Sequence, residues 1–176
     1  MILGENCGME KMMKSEEYTG EAGVKYIFEY YECDSFDHLP QEDLKQCYAV
    51  AFYRKKIVIV HNEKKDTWGL VGGSIEKGEH PDETLIREVQ EESNMKVVEY
   101  KPIGYQKVID TRGIQKSFYQ LRYFAIVEKI GEFESDPDGN VDKILCINPK
   151  DYKKYFDWKE IGDLIINKGV EFRNKS

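Results

Sequence analysis

The chain has 176 residues and a net charge of −7, with 40% hydrophobic and 34% charged residues. That length supports one domain with a substantial core. The negative balance argues against a general binder of nucleic-acid polymer or of a membrane surface, which needs a positive field. It leaves nucleotide ligands open, because a bound metal inverts the local field.

Residues 1–23 hold scattered glycines and methionines with no clear period. They read as an N-terminal tail or extension before a single domain over 24–176, and a homodimer in which a partner chain orders this tail is one expectation. No continuous apolar stretch marks a signal peptide, and no apolar run approaches the length of a membrane span. The four cysteines form no CxxC pair, so a zinc site is not expected and the default setting is a reduced cytoplasm. Val24 to Tyr31 is rich in β-formers and reads as a strand, its tyrosines lining either an ordinary sheet face or a base-binding one. Asp34 to Gln46 is polar, with Pro40 opening a short helix through Leu44. Cys47 to Phe52 and Ile57 to Val60 read as strands covered on both faces, given their near-continuous apolar character. His61 to Thr67 is a charged loop in which Lys64 and Lys65 are either solvated or within reach of phosphates.

Trp68 to Met95 differs from the rest. His80-Pro81-Asp82-Glu83 reads as a helix start, with Pro81 at the first helical position and two acids opposing the macrodipole. Asn94 suits the left-handed stop. At about 100° per residue, Leu85, Ile86 and Val89 share the core face. Glu88, Glu91 and Glu92 form an adjacent stripe whose like charges repel. Such a stripe is either a solvated acidic face or a site for a hard cation such as Mg²⁺.

The flanking residues decide between these. Gly73-x5-Glu79-x7-Arg87-Glu88-Val89-x-Glu91-Glu92-x-Asn94-Met95 resembles the box of the Nudix hydrolase family, G-x5-E-x7-R-E-U-x-E-E-x-G-U, where U is bulky and aliphatic. Every acidic and basic position matches. Asn94 replaces the final Gly, a substitution the left-handed conformation tolerates. Trp68-x-x-Val71-Gly72-Gly73 resembles the family's W-x-x-P-G-G, with Val71 in place of Pro.

The resemblance implies an α/β fold, a Nudix-type α/β/α sandwich with a mixed β-sheet between helices. It also implies cleavage of a nucleoside diphosphate linked to another moiety, using water and Mg²⁺ or Mn²⁺. Glu88, Glu91 and Glu92 are then the metal ligands, with Gly72 adding a carbonyl. Glu92, or next Glu91, is the base, and Glu79 and Arg87 orient the others. The expected partner is a small-molecule nucleotide, with an oxidised or ordinary nucleoside triphosphate ahead of a nucleotide sugar or ADP-ribose. A Nudix-fold module that binds a nucleotide without cleaving it is the alternative from another class.

Downstream, Met95 to Tyr100, Ile103 to Ile109 and Lys116 to Val127 read as strands, the last returning as a hairpin. Lys107, Arg112 and Arg122 are either phosphate contacts or ordinary ion pairs. Gly131 to Val141 is an acidic loop, and Glu132, Glu134, Asp136, Asp138 and Asp142 are candidates for a further carboxylate. Lys143 to Ile147 is a short strand. Phe156-Asp157-Trp158 either reads a purine by stacking and one edge contact or anchors the closing helix. That helix runs from Trp158 to Lys168, with Ile161, Leu164 and Ile165 inward.

Overall fold

In the computed structural model, which describes residues 11–176, the middle of the sheet is a parallel pair. Strand β3 (Leu44–Tyr53) runs beside β7 (Phe118–Lys129), setting Ala49 against Tyr123 and Ala51 against Ala125. All other pairings among the described residues are antiparallel. The remaining strands are β1 (Lys11–Thr19), β2 (Lys25–Glu32), β4 (Lys56–Asn62), β5 (Thr67–Ser74), β6 (Met95–Asp110) and β8 (Val141–Ile147). They form one mixed sheet in the order β1-β2-β6-β7-β3-β5-β4-β8.

Helices cover both faces, as the apolar run in β3 demands. Successive side chains on a strand point to opposite faces. Cys47, Ala49 and Ala51 therefore join Leu121 and Tyr123 beneath Leu85 and Val89 of α1 (Pro81–Ser93). Val50 and Phe52 join Ile57, Ile59 and Phe124 beneath Ile161, Ile165 and Ile166 of α2 (Lys159–Lys175). The result is an α/β/α sandwich with a core on each side of the sheet.

The structure corrects several expectations. Lys11–Thr19, placed by sequence in a tail, is an edge strand antiparallel to β2; residues 1–10 lie outside the described residues. Its inward positions are Lys14, Glu16 and Tyr18, so no apolar alternation announces it. They dock on the start of α2 instead of on a core. The Tyr18 hydroxyl donates to the Trp158 carbonyl at 2.5 Å, and Lys14 pairs with Glu160 at 2.5 Å. The helix expected from Pro40 is one 3₁₀ turn, Gln41–Asp43, because β3 already begins at Leu44. Trp68 to Gly73, read only as a motif, is most of strand β5. The strands expected over 95–100 and 103–109 are one strand, irregular at Val97/Glu99 and Pro102/Gly104. Ile86 is 45% exposed and off the core face. The buried stripe of α1 runs instead through Thr84, Leu85, Glu88 and Val89.

Candidate active site

The site is built where β5 hands the chain to α1. Gly72 sits at φ 140°, where a Cβ would lie 2.1 Å from the Cys47 carbonyl oxygen, so only glycine lets β5 lie this close to β3. At Gly73 a Cβ would lie 2.5 Å from Glu88 Oε1. The two glycines thus bring the α1 carboxylates against the strand backbone.

Helix α1 starts with a reciprocal cap. The Asp82 N–H donates to His80 Nδ1 at 3.3 Å, and Glu83 Oε2 accepts from the His80 N–H at 2.8 Å. Pro81 takes the first helical position. Asn94 ends the helix at φ 51°, ψ 41°, the left-handed conformation expected of it.

Arg87 organises the acids. Its Nε and Nη2 hold Glu79 as a fork, at 2.8 and 3.0 Å, and Nη2 also reaches the Ser74 carbonyl at 3.1 Å. Nη1 donates to Glu88 Oε1 at 2.8 Å and to Glu91 Oε2 at 3.1 Å. Glu79 further accepts from the Thr84 hydroxyl at 2.6 Å and the Glu76 N–H at 3.1 Å. Arg87 first, then these bonds, hold its carboxyl down to about 2. Glu88 is 8% exposed, and burial pushes its carboxyl up. Glu92 Oε2 accepts from the Gly72 N–H at 2.9 Å. Burial, reinforced by the charges of Glu88, Asp136 and Glu91, still pushes the Glu92 carboxyl up to about 8.

Glu88 and Glu92 face a cleft of about 240 Å³ whose walls include Gly72, Gly73, Arg87 and, across the sheet, Gln46 and Tyr48 of β3. A family model described as the NUDIX domain matches residues 44–166. The chain belongs to the Nudix family.

The m7GpppN-mRNA hydrolase of Saccharomyces cerevisiae is 26% identical over 117 residues, which are 66% of this chain and 11% of that protein. A Bacillus subtilis protein named as an 8-oxo-dGTP diphosphatase is 31% identical over 97 residues, 54% of this chain and 59% of its own length. The chain thus spans about a tenth of the first relative and little more than half of the second. Among solved structures, a pyrophosphohydrolase of Bacillus subtilis superposes with a TM-score of 0.55 at 21% identity, covering 76% of this chain and 77% of that one. An Ap4A hydrolase of C. elegans gives 0.55 at 18%, covering 76% and 99%. At these identities the likeness is one of fold.

Within this Nudix fold the acidic stripe meets the chemical requirement for a hard cation. Buried carboxylates with uncompensated charge are costly unless a cation joins them. Among the described residues no three His, Cys, Asp or Glu side chains already converge on one point. Arg87 holds Glu88 Oε1 and Glu91 Oε2, and the Gly72 N–H holds Glu92 Oε2. The second oxygen of each glutamate is left to a ligand.

The acidic loop brings Asp136 and Asp138 to the cleft. Asp136 is spent on shaping the loop, accepting from the Asp138, Asn140 and Val141 N–H groups at 3.0, 2.9 and 3.0 Å. Asp142 instead pairs with His61 at 2.5 Å. Glu132 and Glu134 border a separate hollow with Asn94.

The sequence-proposed substrate residues lie outside the carboxylate cleft. Arg112 is closed on Asp110 in the β6–β7 turn, with Nε and Nη2 each at 2.9 Å. Phe156 is buried against Tyr152 and Trp158. Asp157 accepts from the Lys159 N–H at 2.8 Å. Trp158 lies beside Gly69 of β5 at the start of α2. Gln46 and Tyr48 were missed as site residues. The signal was present in part, since a β-strand with Tyr48 inside an apolar run interrupts its own pattern. The facing partner, Gly72, is set by sheet register, and local sequence does not show that.

Proposed function

We propose that the chain is a divalent-metal-dependent pyrophosphohydrolase that cleaves a nucleoside diphosphate linked to another moiety, with a nucleoside triphosphate as the first candidate. The observation that carries this reading is the pair Glu88 and Glu92 on one helix stripe, facing a single cleft against glycine backbone, Glu88 buried and braced by Arg87, Glu92 half-buried and held by the Gly72 N–H. The intact set speaks for cleavage over mere binding, because a nucleotide sensor does not need it. The relative named as an 8-oxo-dGTP diphosphatase supports the triphosphate choice.

A metal ion at Glu88, Glu91, Glu92 and the Gly72 carbonyl would neutralise phosphate charge and make bound water more acidic. The chain's own part is positional. Arg87 fixes the rotamers of Glu88 and Glu91 while Glu79 fixes Arg87. The Gly72 N–H holds one oxygen of Glu92; where the metal does not saturate Oε1, that oxygen takes the proton of the attacking water. Glu92 is better placed than Glu91, which Arg87 already engages.

The test is release of nucleoside monophosphate, followed by chromatography, from ordinary and oxidised purine triphosphates, ADP-ribose and sugar nucleotides, each with Mg²⁺, with Mn²⁺ and with chelator. Chelator-sensitive release from one class is the expected outcome, and Glu92→Gln should abolish it by orders of magnitude with the fold intact. Binding without release from any of these compounds would overturn the hydrolase reading.

A further inference from the structure

Arg122 is 3% exposed, and among the described residues it has no ion pair with any carboxylate. Its guanidinium lies over the Tyr48 ring, 4.9 Å from the centroid, and its Nε has no hydrogen-bond partner. Burial pulls it down to about 10, so it still carries its charge near neutrality. A desolvated cation without a counter-charge is costly, so its contacts merit attention.

Those contacts have a direction. A guanidinium can only donate. Arg122 Nη2 lies 2.9 Å from Gln120 Oε1 and also contacts Gln106 Oε1, so the oxygen of each amide must face it. Gln120 is then obliged to turn its Nε2 away, and that nitrogen donates to Gln46 Oε1 at 2.6 Å. Gln46 in turn must present Nε2 on its other side. Among the described residues that nitrogen meets no acceptor, and Gln46 is a wall of the cleft that holds Glu88 and Glu92. The sheet register sets Gln46 opposite Ser74, one residue beyond the glycine pair. A hydrogen-bond chain that begins at a charged donor polarises each member in turn. The outermost N–H is thereby a stronger donor than an isolated glutamine would offer.

We propose that Gln46 donates from Nε2 to an acceptor oxygen of the bound nucleotide, and that Gln120 and Arg122 are positioning residues that fix the polarity of this amide. The acceptor is either a keto oxygen on the base or an oxygen of the phosphate chain. The inference rests on the cleft being the nucleotide site, as proposed above.

The chain of amides gives a test that leaves the cleft wall itself in place. In Gln120→Glu the new carboxylate still accepts from Arg122 but has nothing to donate. Gln46 must then turn Nε2 inward and present Oε1 to the ligand. Hydrolysis of GTP and ATP with Mg²⁺ is measured beside calorimetric binding of GDP and ADP, for the wild type, Gln46→Leu and Gln120→Glu. If the acceptor is the base keto group, Gln46→Leu loses about tenfold in kcat/KM for GTP and little for ATP, the scale of one lost hydrogen bond to a desolvated partner. Gln120→Glu then shifts the preference toward the 6-amino purine. If the acceptor is a phosphate oxygen, both variants raise KM for GTP and ATP alike, with no change in their ratio. If neither variant changes a KM or a binding constant, and only the melting temperature moves, the glutamines are structural and the proposal is overturned. A wild type that hydrolyses neither triphosphate sinks the hydrolase reading alone, because binding of GDP and ADP still reads the amide. A wild type that binds neither diphosphate overturns both.

Discussion

At the scale of single residues the site depends on one side chain with no substitute of its own type. Arg87 makes five hydrogen bonds through three nitrogens, to Glu79, Glu88, Glu91 and the Ser74 carbonyl. A lysine carries the same charge on a single nitrogen and cannot span a fork and a second face together. Arg87→Lys should leave the carboxylate stripe without a fixed rotamer. Turnover is expected to fall by roughly a hundredfold, the scale that misplacement of reacting groups brings. Glu79→Gln keeps one acceptor for the Arg87 fork and should cost less. Because Glu79 acts through Arg87, the two losses should not add: the double variant should resemble Arg87→Lys alone. Steady-state kinetics on the three variants, with circular dichroism melts to show that each is folded, checks this. Additive losses would mean that Glu79 has its own contact with the substrate.

At the scale of elements, legibility followed how local each determinant is. Helix α1 was readable to its ends because Pro81, the acidic first turn and the left-handed Asn94 are all chosen by backbone geometry within a few residues. Strand β1 was invisible because its inward side chains are polar and dock on Trp158 and Glu160, far along the chain. The glutamate stripe was legible from its spacing, whereas Gln46 joined it only through the β3–β5 register. The parallel join of β3 with β7 is likewise a long-range fact. Helix α2 shows a conflict between local and tertiary preference. Gly169 stands in its interior, where alanine would gain up to about 1 kcal/mol in helix propensity. A Cβ there would lie 2.6 Å from Val50 Cγ1 and 2.8 Å from Val50 Cβ. Val50 is fully buried on β3, and its branched side chain has little room to turn. Overpacking costs about 1–3 kcal/mol, so packing should win. Gly169→Ala is expected to lower stability by about 1 kcal/mol in urea unfolding; an increase would mean that α2 can lift from the sheet at no cost.

At the scale of the molecule, the sandwich spends stability to hold its cleft. Two cores clamp the sheet from opposite faces. Against that frame the chain buries Glu88 and half-buries Glu92, in a protein whose net charge is already −7. Desolvation and mutual repulsion of these carboxylates work against folding, and a cation that binds only the folded chain reverses their sign. Removing one charge should therefore have opposite effects with and without metal. In chelator near neutral pH, Glu92→Gln should melt above the wild type, because it removes a carboxyl that its surroundings force to take up a proton on folding and keeps an oxygen for the Gly72 N–H. Mg²⁺ should raise the wild-type melting temperature. At a hundredfold excess over the dissociation constant the gain is about 2.7 kcal/mol, or several degrees for a chain of this size at about 2–4 °C per kcal/mol. The same addition should move Glu92→Gln far less. Differential scanning calorimetry of both proteins, in chelator and across a Mg²⁺ series, reads both effects. Equal Mg²⁺ shifts would place the ion away from Glu92. A variant that melts lower in chelator would show that Glu92 is there to hold the fold and not to serve the site.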